Sequence, residues 1–329
     1  MISSARPLLG FRIVGQVHND RRLVDYESAF VAYAECDAKA KIDEGGFLSP
    51  YVYPEQTRKR DNGYRLDIRG YDGTVWSRYL WFDIDDANAD NALERTRRLV
   101  SLLLERYGLA DDDLLVFFSG SKGYHVGVPT ALFGSPVASR VFAATSRQLA
   151  ERLAALANTP TDPVVYQKVQ PLRAPNSRHH KTGRYKRLVT VDELVRLNSE
   201  AIKQRAGNPM AFEQPENPKP HNLAVADWRL ATIATKAQAE ELKQFENDRT
   251  VVNRSTLEFI AEGVAQGDRH RLLYSSAANL FEFDCPPSLA HALLTEPARN
   301  VGLTPSDIRR AINNAHRASG QTRTGYSHE

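Results

Sequence analysis

Residues 79–85, Tyr-Leu-Trp-Phe-Asp-Ile-Asp, constrain this chain more than any other stretch. The run is dominated by aromatic and branched side chains and reads as a buried strand. Side chains alternate across a strand, so Asp83 and Asp85 share one face while Phe82 and Ile84 pack behind them. Two carboxylates at that spacing on a rigid, otherwise apolar strand repel each other unless a cation sits between them. Oxygen ligands of this kind suit Mg²⁺ or Mn²⁺. A strand end running into a solvated acidic turn gives the same letters, so the pair alone leaves both readings open.

The rest of the chain supplies a fold around that strand. Its 329 residues suggest one large domain or two ordinary ones, and 42% hydrophobic with 25% charged residues is enough for a packed core. The periodicity predicts helices over residues 23–40, 91–108, 137–156 and 192–205. Residues 114–120 and 124–128 read as strands, 164–170 and 184–191 as extended, and 47–80 as strands and turns. Residues 207–222 are rich in Pro and Asn and read as a linker or surface loop, and residues beyond 229 read as helices. The Thr304-Pro305-Ser306-Asp307 run is a good helix start. The expected fold class is α+β: a mixed-sheet core over 1–206, a linker over 207–228, and a small all-helical domain over 229–329.

Two further segments carry chemistry. Phe-Phe-Ser-Gly-Ser-Lys-Gly-Tyr-His-Val at 117–126 follows an apolar strand. Gly120 and Gly123 let the backbone turn sharply and leave N–H groups open to an anion, Ser119, Ser121 and Lys122 add donors, and His125 opens the next strand where it can hold a phosphate. The GxxxxGK[ST] order is absent, so no ATPase motor is expected. From Pro163 to Val191 there is no acidic residue but seven basic ones: Lys168, Arg173, Arg178, Lys181, Arg184, Lys186 and Arg187. In a chain of net charge +3 this is a local positive field. Tyr166 and Tyr185 are placed to stack on bases, while His179 and His180 beside Lys181 favour a phosphate role over a merely solvated hairpin.

Taken together, these segments resemble the archaeo-eukaryotic primase superfamily, in its phage and plasmid primase-polymerase branch. The resemblance covers about residues 75–190. It rests on Asp83-Ile84-Asp85, the Ser-Gly-x-x-Gly-x-His pattern of Ser119 to His125, a lone Asp162 in Asp-Pro-Val-Val-Tyr, and Leu-Arg-Ala-Pro-Asn-Ser-Arg-His-His-Lys-Thr-Gly at 172–183. It implies that Asp83, Asp85 and Asp162 are catalytic metal ligands for two Mg²⁺ or Mn²⁺ ions. It also implies that Ser119, Ser121, Lys122, His125, Arg173, Ser177, His179 and Lys181 hold the incoming nucleotide. Ala174 and Asn176 depart from the family's usual residues, and His180 directly follows the matching histidine. The C-terminal helices resemble, more weakly, the helical domain that follows such cores. Two well-separated cysteines, Cys36 and Cys285, leave no Cys-based zinc site, so no zinc is expected.

The implied activity is DNA-templated nucleotidyl transfer that makes or extends primers. Single-stranded DNA and nucleoside triphosphates are the expected partners, with a separate replicative helicase. Arg178, Arg184, Lys186, Arg187, Arg269 and Arg271 are the expected DNA contacts. A primer-extending polymerase that cannot start chains would share every catalytic residue. A nuclease also uses metal-bound carboxylates, and a non-catalytic replication initiator has no use for them. The first fifteen residues lack the apolar run of a signal peptide, and no segment approaches the roughly 20 apolar residues that span a bilayer, so a cytoplasmic protein without membrane contact is expected.

Overall fold

The computed structural model describes residues 8–15, 21–53, 59–60, 65–66, 71–247, 252–263 and 268–323. Parts of the expected 47–80 strand-and-turn region therefore lie outside the described residues. The chain divides into two compact units, Met1–Thr235 and Lys236–Glu329.

The first unit holds two sheets. One contains β1 (Leu9–Val14), β2 (Arg22–Asp25), β3 (Gly46–Leu48), β4 (Lys59–Arg60), β5 (Arg65–Leu66) and β9 (Leu172–Arg173), in the order β4-β5-β2-β1-β3-β9. The other contains β6 (Tyr79–Ile84), β7 (Leu115–Phe118), β8 (Tyr124–Pro129) and β10 (Arg187–Leu188), in the order β10-β7-β8-β6. Every strand pairing among the described residues is antiparallel. The tight 119–123 turn between β7 and β8 suits that arrangement, because antiparallel neighbours need only a short connection.

Local chemistry explains the elements that position the site. In β6 every residue except Asp83 is buried, as the apolar run requires. The helix α2 (Ala89–Tyr107) starts where the Asn88 side chain accepts from the N–H groups of Asp90 and Asn91, and it ends at Gly108, whose φ of 61° is left-handed. Its buried stripe of Leu93, Leu99, Val100, Leu103 and Tyr107 packs against the second sheet, joined by α3 (Phe142–Leu156). The helix expected over 23–40 is shorter: β2 runs to Asp25, which caps α1 (Tyr26–Ala34) by accepting from Ser28 N–H.

Two stretches fold differently from expectation. Residues 163–166 form a single 3₁₀ turn rather than an extended run, because Asp162 caps it and Pro163 supplies a helical φ at its first position. The helix expected over 192–205 is broken into α4 (Val191–Arg196) and α5 (Ser199–Arg205), because Asn198 caps the second by accepting from Ala201 N–H. Residues 207–228, expected as a linker, cluster with the first unit. Phe212 packs against Phe30 and Phe117. The helix α6 (Asn222–Asn247) starts within the stretch and buries Ala224 and Trp228. Asp227, 2% exposed at its side chain, accepts from Arg106 Nε at 2.9 Å and Nη2 at 3.0 Å, and from the Tyr107 hydroxyl at 2.9 Å.

The second unit is helical among its described residues: the end of α6, then α7 (Arg254–Glu262), α8 (Arg269–Glu282), α9 (Pro287–Asn300) and α10 (Pro305–Arg323). Its core sets Phe259, Leu273 and Ile312 among small residues such as Ala277, Ala290 and Ala315, which allow the helices to approach closely. The Thr304 hydroxyl accepts from Asp307 N–H and donates to the Asp307 carboxylate, closing the start of α10. No helix among the described residues is long and apolar enough to cross a membrane.

Candidate active site

The site is built on the centre of the second sheet. Asp83 lies opposite His125 across β6 and β8, and His125 lies opposite Phe117 across β8 and β7. Directly opposed residues point to one face, so this face carries Trp81, Asp83, His125 and Phe117. Asp85 follows just beyond the end of β6. Asp162 reaches the same place from a distant part of the chain: its N–H donates to the Asp83 carbonyl at 2.8 Å, while its carboxylate accepts from Val164 N–H at 2.9 Å. Thr161 completes the joint, its hydroxyl oxygen accepting from Asp83 N–H and donating to the Asp83 carbonyl, both at 3.1 Å.

The three carboxylates act on one another. Burial first, then Asp85 and Asp162, push the Asp83 carboxyl up to about 7, against the opposing pull of Lys186 and Lys122. The Asp85 carboxyl is raised as well, by burial and by Asp162, with Lys122 opposing. Lys122 Nζ stands 3.8 Å from Asp85 Oδ2, with both side chains about half exposed. An all-oxygen, mutually repelling donor set suits a hard divalent cation in its chemistry. The carboxylates are not drawn into a ready cage: among the described residues no group of three or more His, Cys, Asp or Glu side chains is close enough to hold a metal ion as it stands.

The 119–123 turn is closed by Ser119 N–H donating to Gly123 O at 2.9 Å and Gly123 N–H donating to Ser119 Oγ at 3.3 Å. The N–H groups of Gly120, Ser121 and Lys122 donate to no acceptor among the described residues, which leaves three successive donors for an anion. Gly120 has a φ of 88°, and a Cβ there would lie 3.1 Å from His179 Cβ. Thr182 ties the basic segment to this turn by donating to Gly120 O at 2.5 Å.

The sequence-predicted nucleotide residues separate into two groups. Arg173 and His179 stand at the site. Arg173 lies over the Phe47 ring at 4.8 Å, its guanidinium hydrogen-bonds to no described residue, and burial lowers its pKa to about 10, so it stays charged. His179 is half-buried against Gly120, stacked on His180 with 5.3 Å between centroids. Its Nδ1 accepts from Lys181 N–H at 3.2 Å. Burial, then Arg173, His180 and Lys181, lower its pKa to about 4, so the ring is neutral and carries its proton on Nε2. Of the adjacent histidines, His179 is the one that meets the turn; His180 and Lys181 are exposed beside it.

Of the other expected residues, burial takes Ser177, Lys186 and Arg187 out of reach of a ligand. His125 is only 6% exposed; its Nε2 sits 3.5 Å from Asp83 Oδ1, and its Nδ1 has no partner. Burial, Lys186 and Arg173 keep it neutral. It therefore lies beside the carboxylate within the sheet face rather than at the turn surface. Ser177 is fully buried and donates to the carbonyls of Gly46 and Ala174, so its hydroxyl is spent on the fold. Lys186, expected on DNA, is 1% exposed. Arg187 is paired with Glu193 at 3.1 Å, and both side chains are largely buried. Arg178 and Arg184 flank the hairpin turn, Arg178 Nε donating to Gly183 O at 3.1 Å. Arg269 and Arg271 belong to the second unit, where Arg269 donates to Val301 O at 3.0 Å and exposed Arg271 stands 3.3 Å from Asp268. Sequence reasoning missed Thr161 as the joint between Asp83 and Asp162. It also misplaced Lys186, although the alternation of Lys186 with Leu188 put it on the inward face.

No family model matches the chain, and no curated protein matches it. Two solved structures are similar to it in shape. One is the crystal structure of primase RepB′, at a TM-score of 0.38 and 12% identity, covering 97% of this chain and 94% of that one. The other is the polymerase domain from Mycobacterium tuberculosis ligase D in complex with DNA, at a TM-score of 0.36 and 15% identity, covering 63% of this chain and 75% of that one. At these scores the likenesses are coarse, and the reading of the site rests on its own residues.

Proposed function

We propose that the chain is a metal-dependent nucleotidyltransferase that adds nucleotides to a strand paired with a single-stranded DNA template. One observation carries this reading. Three carboxylates from two distant segments meet at one end of β6, beside a turn with three free N–H donors and a charged, unpaired arginine. An acidic cluster serves a water nucleophile equally well. The adjoining donors of Gly120, Ser121 and Lys122, with Arg173 and His179, instead suit a polyanion such as a triphosphate.

Asp83, Asp85 and Asp162 would hold the divalent ions, which supply Lewis acidity to an attacking 3′-hydroxyl and charge neutralisation to the leaving pyrophosphate. The protein's own part is placement and charge. The turn N–H groups receive phosphate oxygens, Lys122 and Arg173 add positive charge, and His179 Nε2–H donates a neutral hydrogen bond. Arg178, Lys181 and Arg184, on the hairpin beside the turn, would contact the template backbone. Catalysis of this kind is mostly positioning and electrostatics.

The test is direct. The protein is incubated with labelled nucleotides, Mg²⁺ or Mn²⁺, and either unprimed or primed single-stranded DNA, and the products are sized. Template-dependent products are expected from the wild type and none from Asp85→Asn. Products at wild-type rate from Asp85→Asn, or products that persist in EDTA, defeat the metal assignment. Cleavage of the DNA in place of extension makes the protein a nuclease. Arg173→Ala should raise the nucleotide KM by about tenfold or more, the worth of a charge-assisted contact, with little change in DNA affinity.

A further inference from the structure

Among the described residues, Lys186 is the buried cation to which the proposed chemistry assigns no ligand contact. It is 1% exposed. Its Nζ donates to the Arg173 carbonyl at 2.7 Å and lies 5.1 Å from the Trp81 ring centroid and 4.8 Å from that of Phe117. Both rings stand on the face that carries Asp83: Trp81 precedes it by two residues on β6, and Phe117 lies opposite His125, which lies opposite Asp83. The main chain of Lys186 is fixed as well, its N–H donating to Ser177 O at 3.0 Å and its carbonyl accepting from Asn176 N–H at 2.7 Å.

A buried amine enclosed by two aromatic rings is a costly way to fill space. A methionine would occupy the same cage without the desolvation penalty, and replacing buried charged groups by apolar ones of similar volume is often neutral or stabilising. Methionine cannot supply the amine's pull on the raised Asp83 carboxyl, nor its hydrogen bond to the Arg173 carbonyl. That bond links the two sheets: β9 pairs with β3 of the first sheet, whereas the cage belongs to β6 and β7 of the second. It meets β9 at the residue whose positive charge is felt by His125 and His179 and whose guanidinium, among the described residues, is otherwise steadied by the Phe47 ring. Burial draws the Lys186 pKa well below its ordinary value, yet the amine remains a donor in either protonation state.

We infer that Lys186 is a positioning residue: through its hydrogen bond to the Arg173 carbonyl it fixes β9 over the Asp83 face and so sets the Arg173 guanidinium where a nucleoside triphosphate would bind. The inference rests on the nucleotidyltransferase reading for the identity of that ligand.

The experiment compares wild type, Lys186→Met, Arg173→Ala and the double variant as full-length proteins. It measures the melting temperature, binding of a fluorescent deoxynucleoside triphosphate with Mg²⁺, binding of labelled single-stranded DNA, and primer extension. Lys186→Met should melt at or above the wild type and bind DNA within about twofold of it. Its nucleotide affinity should fall by about tenfold or more, as small displacements of binding groups do. Adding Lys186→Met to Arg173→Ala should cost nothing further, because both act through one guanidinium. Wild-type nucleotide affinity in Lys186→Met, additive losses in the double variant, or a melting temperature well below wild type each overturn the inference; the last makes Lys186 a structural residue. A wild type that binds nucleotide but incorporates none defeats the polymerase reading separately, and the binding arms still judge Lys186.

Discussion

At the scale of single residues, Asp83 shows how the site spends stability on charge. In the folded protein it keeps its proton up to about 7, whereas an unfolded aspartate releases it near 4. Above pH 7 the carboxyl is ionised in both states and the fold bears the cost of burial and of two carboxylate neighbours. As pH falls from 7 toward 4 the folded state binds a proton that the unfolded state does not, so stability rises. Asp83→Asn should therefore stabilise the metal-free protein at pH 8 by about 1–2 kcal/mol, after allowing for the quarter of the side chain that water still screens. The gain should vanish near pH 4. Mg²⁺ should raise the melting temperature of the wild type more than that of the variant. A variant less stable than wild type at pH 8, or an equal Mg²⁺ response, counts against a repelling carboxylate cluster. Arg187 is the opposite case. Its partner Glu193 also meets Arg205 and closes the capping box with Thr190. Arg187→Ala should thus cost about 1–3 kcal/mol in denaturant unfolding and leave DNA affinity unchanged, and a DNA defect without a stability loss would restore its expected place on the template.

At the scale of elements, the site depends on how closely β6 and the 119–123 turn approach. Gly123 permits that approach: a Cβ there would collide with Asp85 Oδ1 and lie 2.5 Å from the Ile84 carbonyl oxygen. Gly123→Ala should push the turn off the carboxylates and lower primer extension by at least about 100-fold, with DNA binding retained; extension near wild-type rate would show that the two need not touch. The same elements show what the sequence made legible. The strand 79–84 was readable because its apolar run has no other use, and the sharp turn because glycines sit where the backbone bends. The face taken by Asp83 followed from alternation, whereas Asp85 lies just beyond the end of the strand. The joining of Asp162 to Asp83 did not, since a contact between residues so far apart is set by tertiary packing and leaves no local signal; only the family resemblance brought Asp162 forward. Charge misled where burial decided. Lys186 and Arg187 sit in a basic run and read as surface, but Lys186 is enclosed by the Trp81 and Phe117 rings, and Arg187, on the opposite face of the chain, is covered by its ion pair with Glu193. The 163–166 turn was missed because a capping aspartate before proline outweighs the β-branched pair Val164-Val165.

For the whole molecule, the composition break near 207 and the physical boundary do not coincide, and this makes a prediction about where the chain can be cut. Residues 207–235 are polar enough to read as a linker followed by a free helix. Three of their side chains nevertheless complete the first unit. Trp228 packs on Phe133 and Phe142, Phe212 on Phe30 and Phe117, and Asp227 receives Arg106 and Tyr107. Removing a buried tryptophan costs about 3–5 kcal/mol, and leaving Arg106 and Tyr107 without their buried carboxylate adds a similar penalty. Those losses approach the whole stability of an ordinary domain. A chain ending at residue 206 should accordingly be insoluble or unfold at ambient temperature, although it keeps every residue of the candidate site. A chain ending at residue 247 retains all of α6 and should fold cooperatively. That longer chain should extend a pre-annealed primer, because the carboxylates, the turn and Arg173 all lie within the first unit. Starting a strand is harder, since no duplex holds the template and two nucleotides together and protein contacts must gather them. Exposed Arg271, Arg309 and Arg310 of the second unit are available for that task. Comparing primed with unprimed synthesis in the full chain and the 247-residue chain separates the possibilities. Extension kept with unprimed synthesis lost assigns initiation to the helical unit. Unprimed synthesis at full strength in the shorter chain removes any such role, and a well-folded chain ending at 206 would place the boundary back at the composition break.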